Sequence, residues 1–141
     1  CIRDSPKAVI DAAVSRQMIN SIDLVRSYAD RGVLGNIVLI GLGTNGPFSD
    51  DQLAQMMQAI GPDRQVFWIN VRVPTRAWQN DVNSKLAAAQ KQYKNLTVID
   101  WYDKSNGHPD WFYNDMVHMN PNGNPQYAAL VAKTILDKVK N

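Results

Sequence analysis

The sequence predicts an α/β domain in which a parallel β-sheet is covered by helices on both faces, a three-layer α/β/α arrangement. Four short apolar runs alternate with segments whose apolar residues recur at helical spacing. One run, Asn36–Leu42, is almost continuously apolar, as expected of a strand buried on both faces of a sheet. The 141 residues, 45% of them hydrophobic, suffice for one domain (1–141) with its own core.

The first half of the chain contains two strand and helix units. A strand is predicted over residues 8–14, and an amphipathic helix follows as far as Gly32. The buried strand described above leads through a glycine-rich loop to a second helix. Ser49 and Gln52 stand at the spacing of a capping box at the start of this helix, and Gly61 ends it.

The second half adds two strands and two helices. Strands are predicted over residues 65–71 and 96–100, with a helix from Trp78 to Tyr93 between them. The last helix is predicted to be capped by Asn124 and opened by Pro125.

A long irregular stretch, residues 103–123, precedes the last helix and contains Asp115 and His118. Such loops are uncommon unless they are functional. If the backbone turns here, the carboxylate can hydrogen-bond one imidazole nitrogen and leave the other free to take a proton from a nucleophile. A solvated surface pair is the alternative interpretation.

Three further polar residues follow predicted strands, so the topology brings them to the same edge of the sheet as Asp115 and His118. The amide of Asn45 and the backbone N–H near Ser15 are candidate donors to an oxygen that becomes negative during attack on an ester. Taken alone, Asn45 is better explained as a turn residue, and Ser15 as a helix cap. Arg72 is a candidate substrate contact or a surface ion pair.

Composition excludes several functions. The net charge of +2 arises from scattered charges of both signs, which argues against nucleic acid as a partner. The single cysteine, Cys1, cannot form an internal disulfide, and no spacing of Cys and His predicts a zinc site. No apolar run is long enough to span a membrane, and the first residues do not form a signal peptide.

Six short motifs occur in order along nearly the whole chain: Ile10–Gln17, Gly41–Gly46, Arg72–Pro74, Asp100–Tyr102, Gly107–Pro109 and Asp115–His118. Together they resemble the extracellular SGNH-hydrolase-like domain of peptidoglycan O-acetyltransferases. The resemblance implies a flavodoxin-like sheet and transfer of acetyl groups to the C6 hydroxyl of N-acetylmuramic acid, which protects the wall from lysozyme.

By the same resemblance, Asp115 and His118 are the acid and base of a Ser-His-Asp triad, and Asn45 and the Ser15 backbone form the oxyanion hole. The implied partners are a peptidoglycan glycan strand and a membrane acyltransferase domain of the same protein that delivers acetyl groups. The implied location is the outer face of the bacterial membrane. No metal or organic cofactor is implied.

The sequence departs from this family at its start. The family nucleophile is the serine of a Gly-Asp-Ser motif that ends the first, central strand, but only five residues precede Pro6 here. Either Ser5 is the nucleophile, or residues 1–5 match the end of the following helix and the nucleophile is absent. Residues 1–5 align with the end of that helix without a gap, which favours absence of the nucleophile from this chain. The domain is then expected to be truncated at its N-terminus, and the predicted strands at Val9 and Val38 lose the strand that lies between them in the family.

Other side chains are weaker candidates. His108 is interpreted as structural, and a metal site formed by His108, Asp115 and His118 matches no known ligand spacing. The aromatic rings of Trp78, Trp111 and Tyr113 either stack on a sugar or pack. A carbohydrate acetyl esterase and a non-catalytic glycan-binding domain are the alternative functions.

Overall fold

The sheet consists of three parallel strands in the computed structural model, which describes residues 9–140. The strands pair in the order β1 (Ile37–Ile40), β2 (Gln65–Ile69) and β3 (Leu96–Ile99). Five helices accompany them in this part of the chain: α1 (Ile19–Asp30), α2 (Asp50–Ile60), α3 (Gln79–Gln92), α4 (Trp101–Lys104) and α5 (Gly123–Val139), with a 3-10 turn at Pro109–Trp111. The predicted parallel α/β fold is confirmed.

Alternate strand residues face two separate hydrophobic clusters. Val66 and Trp68 of β2 pack with α1, α2 and α3 on one face, whereas Phe67 and Ile69 pack with α5 on the other. All four side chains are buried. Because both faces of β2 are buried, its sequence is continuously apolar instead of alternating. The helices on the two faces and the sheet between them form the predicted three layers.

The predicted first strand is wrong over the residues described. Residues 9–13 are irregular, Val14 lies in a turn, and the side chains of Val9 and Val14 are 75% and 96% exposed. A strand must pair its backbone N–H and C=O groups with a neighbour, and β1 pairs only with β2 among the described strands. Instead, an Asp11–Arg16 ion pair (2.6 Å) and the Tyr28 hydroxyl bonded to Asp11 hold the segment against α1.

Local signals placed the middle helices correctly. Ser49 and Gln52 form the predicted capping box, because each side chain bonds the backbone N–H of the other residue, at 3.1 and 3.0 Å. The following helix ends before Gly61, whose φ of +87° is unfavourable for other residues.

The predicted start of the last helix is wrong by a few residues. α5 begins at Gly123, so Asn124 and Pro125 lie inside its first turn. Oδ1 of Asn120 accepts the backbone N–H groups of Asn122 and Gly123, and the carbonyl oxygen of Asn120 accepts those of Gly123 and Asn124. A residue upstream therefore caps this helix, and it also belongs to the loop of Asp115 and His118.

Candidate active site

Asp115 and His118 meet as predicted in the turn that precedes α5. Oδ2 of Asp115 lies 2.5 Å from Nδ1 of His118, and Oδ1 accepts the backbone N–H groups of Val117 and His118, both at 2.9 Å. Met116 between them adopts the left-handed conformation, with φ of +58°. The second ring nitrogen, Nε2, is left without a partner in the described chain, on a side chain that is 80% exposed.

Asn120 holds this loop to the 3-10 turn region and to the start of α5. Its Nδ2 donates to the carbonyl oxygens of Asp110 and Phe112, at 2.8 and 3.0 Å. Its Oδ1 accepts the N–H groups of Asn122 and Gly123. Four bonds from one side chain join both ends of the loop, and they position the Asp115–His118 pair without touching it.

The pKa of Asp115 is lowered to about 2, first by the hydrogen bond from His118 and then by those from the backbone N–H groups. Because the folded pKa is depressed, the stabilisation from these bonds is complete above the ordinary pKa of about 4 and is lost as the pH falls through about 2. We expect an NMR titration of the Asp115 carboxyl carbon to show this low midpoint. In the variant His118→Ala the midpoint should rise, and a wild-type midpoint near the ordinary value would contradict the assignment.

Asn45 and the Ser15 turn lie side by side. Asn45 Nδ2 donates to the carbonyl oxygen of Arg16 at 3.4 Å, and Gln17 Nε2 donates to the carbonyl oxygen of Asn45 at 3.2 Å. Ser15 itself is left-handed, with φ of +56°, and its N–H has no partner in the described chain. One side-chain N–H of Asn45 and the Ser15 backbone N–H are therefore available to a ligand.

Three of the predicted loops converge on a cavity of about 90 Å³ at the carboxyl ends of the strands. Its walls include Thr44 from the loop after β1, Arg72 after β2, and Val117 from the turn of Asp115 and His118. Among residues 9–140, no hydrogen bond joins Ser15 or Asn45 to that turn. The structure thus brings the predicted loops to one edge of the sheet, and the role of each residue stays a prediction.

Arg72 does not form a surface ion pair within the described chain. Its Nε donates to Ser105 Oγ and its Nη2 to the carbonyl oxygen of Tyr102, both at 2.6 Å, and the guanidinium lies over the Tyr102 ring. Sequence reasoning missed Ser105, because a serine thirty-three positions away carries no signal of this contact.

Two of the three aromatic rings predicted as candidates for stacking on a sugar pack against other parts of the protein. Trp111 stacks on His108 at 3.8 Å, and Trp78 donates to the carbonyl oxygen of Gly43 and packs against the core. Tyr113, whose side chain is 56% exposed, remains open beside His118. The stacking agrees with the structural interpretation of His108.

No group of three or more His, Cys, Asp or Glu side chains within residues 9–140 is arranged to hold a metal ion. None of the helices in that range is both long and apolar enough to cross a membrane.

No family model matches the chain, but curated relatives do. The Staphylococcus aureus O-acetyltransferase OatA is 34% identical over 131 residues, which is 92% of this chain and 21% of the relative. The Listeria monocytogenes peptidoglycan O-acetyltransferase OatA is 35% identical over 130 residues, again 92% of this chain and 20% of the relative. This chain is homologous to one region of the OatA O-acetyltransferases. It spans about a fifth of the length of these relatives.

A solved OatA structure extends the likeness to the fold. The C-terminal catalytic domain of Streptococcus pneumoniae peptidoglycan O-acetyltransferase A, solved with a methylsulfonyl adduct, superposes with a TM-score of 0.79 at 19% identity. The match covers 94% of this chain and 81% of that domain. The resemblance predicted from the sequence motifs is confirmed, and the fold is that of the C-terminal catalytic domain of the pneumococcal protein.

Proposed function

We propose that this domain transfers acetyl groups to the C6 hydroxyl of N-acetylmuramic acid in peptidoglycan through a serine-linked acetyl-enzyme. The observation that carries the proposal is the 2.5 Å contact between Asp115 and His118, which leaves Nε2 of an exposed imidazole without a partner in the described chain. Homology to OatA supports peptidoglycan as the substrate. The residues present supply the base, its orienting acid and oxyanion donors.

In the first half-reaction, the serine oxygen bonds to the acetyl carbonyl carbon while Nε2 of His118 takes the proton of the serine hydroxyl. Asn45 and the Ser15 N–H stabilise the oxyanion. The donor oxygen then leaves with the proton from the imidazolium. In the second half, the glycan C6 oxygen gives its proton to Nε2 and attacks the acetyl carbon, and the serine regains its proton. Asp115 stays ionised throughout.

The nucleophile is the part of this proposal that must be tested first. Ser5 and Cys1 lie outside the described residues, so the alternatives of a serine at position 5 and a nucleophile absent from this chain both remain predictions. Labelling with a sulfonyl fluoride, followed by intact mass and peptide mapping, separates them. Stoichiometric addition at Ser5 in wild type, lost in His118→Ala, would establish Ser5 as the nucleophile.

Without addition, we expect activity only when a segment carrying the family serine is supplied. The proposal fails if this chain, extended upstream with such a segment, neither reacts with the reagent nor releases acetate from an aryl acetate ester. This outcome would favour the non-catalytic glycan-binding alternative.

The variant Asn45→Ala is expected to lower turnover by about 100- to 1000-fold with little change in melting temperature, because it removes an oxyanion donor from an exposed loop. Turnover of an aryl acetate and thermal unfolding are the two measurements. Gln17→Ala is the matched control, since it loosens the same loop without removing the donor. A fall in melting temperature with unchanged turnover would instead assign Asn45 to the turn alone.

Exposure of His118 favours one alternative, a carbohydrate acetyl esterase. In the described part of the chain nothing covers the imidazole, so the loop does not by itself exclude water from an acetyl-enzyme. Hydrolysis and transfer would then compete at one site. Mass spectrometry of glycan products, compared with acetate release, measures their ratio.

The remaining partners follow from the same proposal. The acceptor is a glycan strand outside the bacterial membrane, and the acetyl donor comes from a membrane acyltransferase domain of the same longer protein. The relatives, more than four times the length of this chain, have room for such a domain.

A further inference from the structure

The cavity at the strand ends has polar groups that the proposed triad does not use. It lies between the loop after β1, the end of β2, the turn at Val117 and the first turns of α5. Its volume of about 90 Å³ corresponds to roughly three water molecules, and so to a fragment the size of acetate or lactate.

Arg72 brings a positive charge to this cavity. A guanidinium has five N–H groups, and the two contacts to Ser105 and Tyr102 use two of them. Ser105 is 2% exposed and donates in turn to the carbonyl oxygen of Trp101 at 2.6 Å. A buried hydroxyl therefore fixes the guanidinium, while its other donors remain unpaired within the described chain.

Tyr127 brings a second unused donor. Its ring packs edge-on against Trp101, with 5.0 Å between the centroids, and lines the cavity. Tyr127 is partly buried, and its hydroxyl has no hydrogen-bond partner within residues 9–140, so the hydroxyl is open to a ligand. Burial raises the pKa of Tyr127 to about 12, so the hydroxyl keeps its proton and can donate.

The cavity wall contains no acidic side chain among the described residues. Arg72 is thus the single formal charge of the wall, accompanied by the Tyr127 hydroxyl and by apolar side chains such as Ile69 and Met119. The Arg72 guanidinium, the Tyr127 hydroxyl and the apolar side chains together fit a small carboxylate. Its two oxygens can accept hydrogen bonds from the guanidinium and the hydroxyl, and its carbon chain can contact the apolar side chains.

We propose that this cavity is a carboxylate-binding subsite in which Arg72 and the Tyr127 hydroxyl bind the anion and Ser105 positions Arg72. Two ligands carry this chemistry, namely acetate released by hydrolysis and the lactyl carboxylate of a muramic acid acceptor. That the carboxylate is acetate or a lactyl group rests on the proposed function, whereas the prediction that the cavity binds a carboxylate does not.

The test is a titration of the protein with sodium acetate, followed by tryptophan fluorescence, because Trp101 lines the cavity. Sodium chloride at equal ionic strength is the reference. We expect saturation with a Kd on the order of 1–10 mM. Arg72→Gln should weaken binding about tenfold or more, and Tyr127→Phe about two- to tenfold.

Matched controls separate the subsite from general effects. Arg76→Gln removes an exposed arginine next to Trp78, and Tyr113→Phe removes an exposed hydroxyl, so both should bind acetate as wild type does. Equal affinity in Arg72→Gln and wild type, or the same response to chloride, would overturn the proposal. Arg72→Lys keeps the charge, and it should retain part of the affinity if the fold is intact.

Two sugars identify the source of the carboxylate. N-acetylmuramic acid carries the lactyl group, and N-acetylglucosamine lacks it. Tighter binding of the former than of acetate assigns the subsite to the acceptor, whereas binding of acetate alone assigns it to the product. Equal binding of both sugars would contradict carboxylate recognition. Because no turnover is measured in this titration, its outcome is separate from that of the labelling test. If acetate binds but the chain extended with the serine segment neither reacts with the sulfonyl fluoride nor releases acetate from an aryl ester, the proposed function fails and the subsite stands.

Discussion

Replacing His118 by alanine is expected to lower acetyl-ester turnover by about 100- to 10,000-fold, since the variant loses the general base. The side chain is 80% exposed and its main contact is with Asp115, so we expect little change in melting temperature. Turnover of an aryl acetate, measured on whichever form of the protein carries the nucleophile, is the test. Unchanged turnover would remove His118 from the mechanism.

His108 provides the matched control for this variant. It is the other histidine of the chain, it is also exposed, and it stacks on Trp111. His108→Ala should lose some packing but retain turnover. If both variants lose activity equally, the effect lies in the conformation of the loop and not in proton transfer.

The companion variant Asp115→Asn tests how the base is oriented. Asn can still accept the two backbone N–H groups that Oδ1 binds, but an amide N–H facing Nδ1 of His118 favours the wrong tautomer. A large loss of turnover with an intact fold is therefore expected.

The variant Gly123→Ala should destabilise the fold by about 3 kcal/mol, the largest effect on stability that we expect. A Cβ at this position would lie 2.1 Å from the carbonyl oxygen of Trp111 and 2.9 Å from its Cβ. Because the obstacle is backbone, α5 must move away from the 3-10 turn. Thermal unfolding should show a fall of roughly 10 °C in melting temperature.

Gly35→Ala is the control for this substitution. Its Cβ would meet only the carbonyl oxygen of Ile37, at 3.9 Å, so we expect a change within about 0.5 kcal/mol. The same shift in melting temperature for both variants would contradict the close approach at Gly123. Since Gly123 also donates to Asn120, the alanine variant should disturb the turn of Asp115 and His118 and lower turnover as well.

The features that the sequence predicted correctly depend on near neighbours in the chain. Alternating burial of β2 and the Ser49 capping box follow from residues a few positions apart. The pair of Asp115 and His118 is equally local, because a single turn brings residues three apart into contact. The six ordered motifs carried the resemblance to O-acetyltransferases for the same reason.

Tertiary structure decided what depends on distant partners. Residues 9–14 are apolar enough for a strand, but pairing needs a neighbouring strand, and the described sheet offers none there. Asn120 and not Asn124 caps α5, because the path of the preceding loop brings its side chain to the helix. Arg72 is held at the cavity by its contacts with Ser105 and Tyr102, and Tyr127 is held there by the packing of its ring on Trp101. Local pattern thus determined the elements and the reactive pair, whereas long-range contacts determined the cavity beside them.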